Sequence, residues 1–218
     1  MIKADLHIHS YFSMDCSLSF HEIVSSCIQQ KIDCIAICDH GTIQGALKLS
    51  RTAPFKIIVA EEISTPMGEI MGMFLTEEIT SPCPVNEAIK RIKAQNGLVC
   101  VPHPADALRS SAFGLKNLYG IIDQVDIIET FNSRNHLPGG NSRADAFARR
   151  HNKLRSAGSD AHTAGEIGTT YIQMQDFVSK EDFCNSLKTA IIHGRVSNPL
   201  VHLASTRNRL SKILSKGN

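Results

Sequence analysis

The sequence predicts an α/β protein in which a largely parallel sheet, open or closed into a barrel, is flanked by helices. Three observations point there. Short apolar runs of strand length alternate with stretches of helical spacing along most of the chain. Nearly every such run ends in residues able to bind a divalent cation, as parallel strands sharing one functional end would require. No repeat, low-complexity stretch or Pro/Gly/Ser linker divides the 218 residues, so 1–218 reads as one domain, a size a single α/β barrel fills.

Ile2 to His9 reads as the first strand, where alternation puts Asp5, His7 and His9 on one face and Leu6 and Ile8 on the other. Ser19 is placed to cap a helix reaching Lys31, with Phe20, Ile23, Val24, Cys27 and Ile28 at helical spacing. Asp33 to His40 is a strand, and Thr42 to Arg51 follows as a helix. Lys56 to Thr65 and Glu69 to Leu75 read as two strands, the second a hairpin partner of the first. After the turn Ser81-Pro82-Cys83-Pro84, Val85 to Asn96 is a helix stopped by Gly97, and Leu98 to Pro104 returns as a strand. Asp106 to Leu118 carries no clear period. Val125 to Asn132 is a strand, the helix 142–152 follows Pro138-Gly139-Gly140, and Lys153 to His162 and Thr169 to Met174 are strands. Ser179 to His193 reads as a helix. Beyond Pro199, Leu200, Leu203, Leu210, Ile213 and Leu214 alternate with Arg207, Arg209, Lys212 and Lys216, which predicts an amphipathic closing helix with a solvated basic face.

Composition narrows the function classes. Twenty-three Lys and Arg against 21 Asp and Glu leave a formal charge of +2, too little to draw in long nucleic acid or a membrane. No apolar stretch approaches the roughly 18 residues of a membrane span, and the polar start carries no signal-peptide core. A cytoplasmic protein is expected. The seven Cys form no C-x-x-C pair and read as reduced, small core residues. Ten His beside no Trp and three Tyr hint at metal.

The strand ends carry that hint further. They supply His7 and His9, Asp39 and His40, Glu61 and Glu62, His103, Glu129, and Asp160 and His162. One H-x-H is weak evidence; H-x-H, D-H, E-E, H-P and D-x-H in sequence at successive strand ends are strong. A mixed imidazole and carboxylate set suits Zn²⁺, Mn²⁺ or Fe²⁺ better than Ca²⁺. Asp5, Asp39 and Glu129 are expected to orient the ligating imidazoles, the alternative being ordinary strand-end or capping carboxylates.

These residues resemble the polymerase and histidinol phosphatase (PHP) domain family. Its opening signature stands as Asp5-Leu6-His7-Ile8-His9-Ser10, its second as Ile37-Cys38-Asp39-His40-Gly41-Thr42, and its third as Ala60-Glu61-Glu62-Ile63-Ser64-Thr65. His103-Pro104 and the closing run Gly158 to His162 complete five ordered motifs within about residues 1–175, leaving 176–218 for closing helices. The resemblance implies a distorted seven-stranded, TIM-like (β/α) barrel holding two or three divalent ions, Zn, Mn or Fe, at the C-terminal ends of its strands. Carried over by position, the ligands are His7, His9, Asp15, His40, Glu62, Glu69, His103, Asp160 and His162, with Glu62 bridging two ions and His9 and Asp160 beside it at the reacting centre. One departure is Glu69-Ile70-Met71-Gly72, where the family often has His at the first position; another is Ala60 for Gly.

The expected activity is hydrolysis of small phosphate esters by a metal-activated water, with nucleotide phosphates or short oligonucleotides as substrates. Arg134 could bind a substrate phosphate and His136 protonate the leaving oxygen, the alternative being that each is a solvated loop residue. Arg143 could also reach the site, whereas Arg149 and Arg150 read as solvent-exposed and His21, His151, His193 and His202 as non-ligands. Histidinol-phosphate phosphatase and a non-catalytic metal-binding PHP module are the alternatives. Oligomeric state is left open.

Overall fold

The computed structural model describes residues 1–216. Ring-forming strands and their helices alternate along the chain: β1 (Ile2–Ile8), α1 (Phe20–Gln30), β2 (Cys34–Ile37), α2 (Gln44–Leu49), β3 (Lys56–Thr65), β4 (Gly68–Met73) and α3 (Val85–Ala94). There follow β5 (Leu98–Val101), the short α4 (Leu115–Leu118), β6 (Ile127–Asn132), α5 (Gly140–Arg150) and β7 (Leu154–Gly158). The chain ends with β8 (Thr170–Met174), α6 (Lys180–Lys188), β9 (Ile191–Gly194) and α7 (Val201–Lys216).

The strands form one sheet in the order β7-β6-β5-β4-β3-β2-β1-β8-β9. Pairing is parallel through β1-β2-β3 and β5-β6-β7; β4 is antiparallel to both its neighbours, as are β8 to β1 and β9 to β8. The sheet curls so that the chain leaving β7 meets the end of β1: Ile8 and Ala161 form a parallel bridge, Asp160 N donates to the His7 carbonyl (2.8 Å), and His9 N to the Ala161 carbonyl (3.0 Å). The barrel is thereby nearly closed. Gly158 permits the seam, because a Cβ there would lie 2.3 Å from His7 Cβ.

The strand count is nine rather than seven. β8 and β9 extend the sheet past β1, and β9 occupies residues expected to continue a helix. Phe183, Leu187 and Ile191 sit four apart, so spacing alone runs the helix on. It stops at Thr189 instead, and Ile191–Gly194 covers the free edge of β8.

Ala4, Leu6, Cys34, Ala36, Ile58, Ala60 and Cys100 fill the barrel, with Phe183 and Leu187 of α6 in the same cluster. Ile8, Ile35 and Ile37 pack outward on α1 and α2, and Val99, Val101 and Ile128 on α3 and α5. The β1–β2 register shifts between Asp5 and Ile8, which corrects the expected alternation. The bulge turns His7 and His9 to the interior and leaves Asp5 facing the opposite side. Five of the seven Cys are buried, three of them within the barrel-filling cluster. Among the described residues no helix is long and apolar enough to cross a membrane.

The closing helix lies opposite to expectation. Its polar face docks on the barrel mouth, while Leu203, Leu210, Ile213 and Leu214 are 49–73% exposed. Lys212 donates to loop carbonyls at the mouth, Asn208 to the Ser17 hydroxyl, and Ser205 accepts from Arg134, so the polar face rather than the leucines faces inward.

Candidate metal centre

The parallel strands deliver their last residues to one place. β1 supplies His7 and, just past its end, His9; the following loop supplies Asp15, the turn three residues past β2 His40, and β3 Glu62. Past β5 comes His103, and past β7 come Asp160 and His162. Antiparallel β4 contributes Glu69 from its opposite end. All nine side chains fall into four overlapping groups whose candidate ligand atoms lie within 4.8 Å of one another: His9/Asp15/His40/His162, His7/Glu62/His103, His7/His9/Asp160 and His40/Glu62/Glu69.

Glu62 lies at the centre. Its Oε1 is 2.9 Å from His103 Nε2, and its Oε2 is 3.3 Å from His9 Nε2 and 3.5 Å from both His7 Nε2 and His40 Nδ1. His7 Nε2 and His9 Nε2 are 3.1 Å apart, and Asp160 Oδ1 is 3.4 Å from His9 Nε2. Asp15 Oδ2 lies 3.1 Å from His162 Nε2 and 3.5 Å from His40 Nε2. Two of the nine, His103 (φ 32°) and Asp160 (φ 55°), take left-handed backbone at a cost of about 1–2 kcal/mol each. Their amides are held, His103 N by Glu129 Oε2 (2.7 Å) and Asp160 N by the His7 carbonyl.

The donor set fits divalent cations. Buried Glu62 Oε2, Glu69 Oε2, Asp160 Oδ1 and His162 Nε2 have no hydrogen-bond partner, although such atoms are ordinarily satisfied. Burial opposes charge on His7 and His40, but the surrounding carboxylates outweigh it, holding His7 well above the imidazole range and raising His40 to about 10. Burial would raise Glu62 and Asp160, yet the imidazoles, and Arg109 beside Asp160, keep both well below the carboxylate range. Glu69 moves the other way, raised by burial and by Glu62. Burial, His9 and Arg134 lower His162 to about 4, so it is neutral and able to ligate. The site is thus a buried pocket of imidazoles and carboxylates, chemistry that suits divalent metal ions.

Of the three carboxylates expected to orient imidazoles, one does. Glu129 Oε1 accepts from His7 Nδ1 (3.0 Å), leaving Nε2 to face the centre. Asp39 instead takes the Ser10 amide and hydroxyl, both at 2.6 Å, and Asp5 takes the amides of Ser159 (2.8 Å) and Gly168 (3.1 Å). Both are backbone caps, Asp5 because the β1 bulge turns it away.

Above the ligands lies a cavity of about 800 Å³, bounded by Arg109, Arg134 and His136 and roofed by His202, Ser205, Thr206 and Arg209 of α7. Arg134 is buried and engaged within the protein: its Nε is 3.1 Å from Glu166 Oε1, its Nη1 lies 2.8 Å from His162 Nδ1, and Nη2 donates to the Val201 carbonyl and Ser205 Oγ. His136 packs against the His202 ring, and neither ring nitrogen of His136 has a hydrogen-bond partner. His202, expected far from the strand ends, therefore reaches the cavity wall. Arg143 reaches only the Ala105 carbonyl (3.4 Å). His151 packs on Phe147, and His193 Nε2 lies 3.2 Å from Gln173 Oε1, both away from the ligands.

Sequence reasoning missed Arg109. Its Nη2 donates to Asp160 Oδ2 at 2.6 Å, from the loop after β5 that carries no period. The available signal was position: it follows a strand-terminal His-Pro by a few residues, on the functional face.

The comparisons agree with this architecture. A family profile described as PHP-associated matches residues 138–190. An uncharacterized protein of Methanocaldococcus jannaschii is 34% identical over 230 residues, covering 100% of this chain and 93% of its own. The fold is similar to a two-domain Bacteroides vulgatus protein containing a predicted PHP-like metal-dependent phosphoesterase, with TM-score 0.70, 15% identity, and coverage of 95% of this chain and 69% of that one. It is also similar to an amidohydrolase from Chromobacterium violaceum solved with bound sulfate, with TM-score 0.64, 13% identity, and coverage of 94% and 96%.

Proposed function

The chain belongs to the PHP family, and from that premise we propose that it is a metal-dependent phosphoesterase hydrolysing small phosphate esters, nucleotide phosphates among them. The observation that carries this reading is the cluster of buried, unpartnered ligand atoms beneath a cavity with arginines on its walls. Such a site binds cations and their phosphate ligands together. The roof formed by α7 favours small esters over long strands.

His7, His9, His103, Asp160 and Glu62 would hold one part of the metal set, and Asp15, His40, Glu69 and His162 the other, with His9 and Glu62 shared. The bound ions would lower the pKa of a water and neutralise charge on the phosphoryl oxygens. The chain's own residues do the rest. Glu62 fixes the spacing of the two halves, because its two oxygens face different imidazoles. Arg109, whose Nη2 donates to Asp160, also lines the cavity, where its guanidinium fork matches a phosphoryl group bound beside the ligands. His136 offers an unpartnered imidazole to a leaving oxygen in the same cavity.

Protein purified without chelator is expected to carry at least two transition-metal ions per chain by elemental analysis, and to hydrolyse nucleoside monophosphates and p-nitrophenyl phosphate only when loaded. Glu62→Gln should lower kcat by about 100-fold or more, the scale on which a charged group acting on the transition state contributes. One ion or fewer after reconstitution with Mn²⁺ or Zn²⁺ would defeat the multinuclear reading. Full activity in Glu62→Gln with full metal content would remove the bridging role.

A further inference from the structure

α7 carries Arg207, Arg209, Lys212 and Lys216 and no acidic residue, and it lies across the loop joining β1 to α1. That loop has no strand or helix of its own to hold it, yet it must present Asp15. Lys212 Nζ donates to the carbonyls of Tyr11 (2.8 Å), Ser13 (2.6 Å) and Cys16 (2.7 Å), so three backbone acceptors that bracket Asp15 converge on one ammonium group. An ammonium has three N–H donors, which this arrangement matches. Ser13 Oγ in turn donates to Asp15 Oδ1 (2.9 Å), and Asn208 Nδ2, one helical turn before Lys212, donates to Ser17 Oγ (3.2 Å). The free oxygen, Asp15 Oδ2, then faces His162 and His40. On the opposite flank, Arg134 ties α7 to His162 through Ser205 and the Val201 carbonyl.

The remaining candidate groups, His7/Glu62/His103, His7/His9/Asp160 and His40/Glu62/Glu69, stand on β1, β3 and β4 and just past β2, β5 and β7, where the barrel's own hydrogen bonds hold them. We propose that Lys212 is a positioning residue for Asp15, and that α7 thereby sets the affinity of one metal site, His9/Asp15/His40/His162, while leaving the others to the barrel. This rests on the metal reading above.

The test is a Mn²⁺ titration by calorimetry, with elemental analysis after dialysis, on wild type, Lys212→Met, Lys212→Arg and Asn208→Ala. Methionine keeps an unbranched side chain one atom shorter and removes every donor; arginine keeps charge and donors. Lys212→Met is expected to weaken one class of site by about 10–100-fold, as loss of an orienting contact to a ligand does, and to retain one ion fewer per chain. Lys212→Arg should recover much of this, and Asn208→Ala should shift the same site by less. A purely structural role would instead lower the melting temperature of metal-free protein and leave the titration unchanged. Leu210→Ala, on the exposed face of α7, should titrate as wild type. If wild type holds two or more ions and Lys212→Met matches it site for site, the proposal falls alone. Wild type holding one ion or none overturns the metal reading and this proposal together.

Discussion

Glu129 accepts from three donors, two of them on metal-site residues: His7 Nδ1, the His103 amide and, from outside the ligand set, the Asn132 side-chain amide at 2.9 Å. Glu129→Gln keeps the shape but can place its carbonyl against only one side, and its NH₂ would face another donor. The expected outcome is a folded protein whose metal affinity is about 10–100-fold weaker by competition with a chelator of known strength; unchanged affinity would mean that the strand ends alone orient both imidazoles. His136 is tested by leaving-group dependence. His136→Asn should slow hydrolysis of an alkyl phosphate by about 100-fold or more and that of p-nitrophenyl phosphate far less, since a good leaving group needs no proton. Equal losses on both substrates would exclude a general acid there. At this scale sequence legibility was uneven. Most ligands are readable because they stand near or just past strand ends, which meet in such sheets, whereas Asp15, in a loop, and Glu69, at the start of β4, follow only from the family resemblance. Asp5 and Asp39 were misassigned, because whether a carboxylate meets a ring or an amide depends on the β1 bulge and the Ser10 turn, which spacing does not encode. Arg109 stood in a loop whose path only the closed barrel determines.

Elements were readable where local chemistry agrees with tertiary demand. Ser19 and Glu22 bracket the start of α1: Ser19 Oγ accepts the Glu22 amide (3.3 Å), and Glu22 Oε2 accepts the Ser19 amide (2.9 Å), a reciprocal capping box. The remaining apolar spacing turns Ile23 and Cys27 inward. Ser19→Ala should cost about 1 kcal/mol, or about 2–4 °C in melting temperature for a chain of this size, without changing metal content. A drop in metal content would show that α1 helps hold the Asp15 loop, a task assigned here to α7. β9 and α7 escaped for opposite reasons. β9 continues a helical period by coincidence, and only the open edge of β8 makes it a strand. The spacing of α7 predicts an amphipathic helix, but its orientation follows from the loop carbonyls that Lys212 meets and from Arg134 on Ser205 rather than from its own leucines.

For the whole molecule, the sheet closes where its metal ligands lie. His7 and His9 at the end of β1 face Asp160 and His162 beyond β7, and the seam between them depends on a few backbone bonds, including His9 N to the Ala161 carbonyl and Asp160 N to the His7 carbonyl. Carboxylates and imidazoles crowded on both sides of that seam repel or bury charge unless a cation joins them, so metal binding and barrel closure should be one event. A cation bound only by the folded state stabilises it by about 2.7 kcal/mol when its free concentration is 100 times Kd. At about 2–4 °C per kcal/mol, removing one such ion should lower the melting temperature by about 5–10 °C, and two by more. The loss should not be spread evenly. Hydrogen exchange of metal-stripped protein should accelerate first at the His9 and Asp160 amides, while β2 and β3, parallel-paired through four register positions, keep their protection. Readdition of Zn²⁺ or Mn²⁺ should restore both readouts together. If verified metal removal left the melting curve and the seam amides unchanged, the barrel would close without its ions, and the ligand cluster would be a passenger on the fold rather than part of its closure.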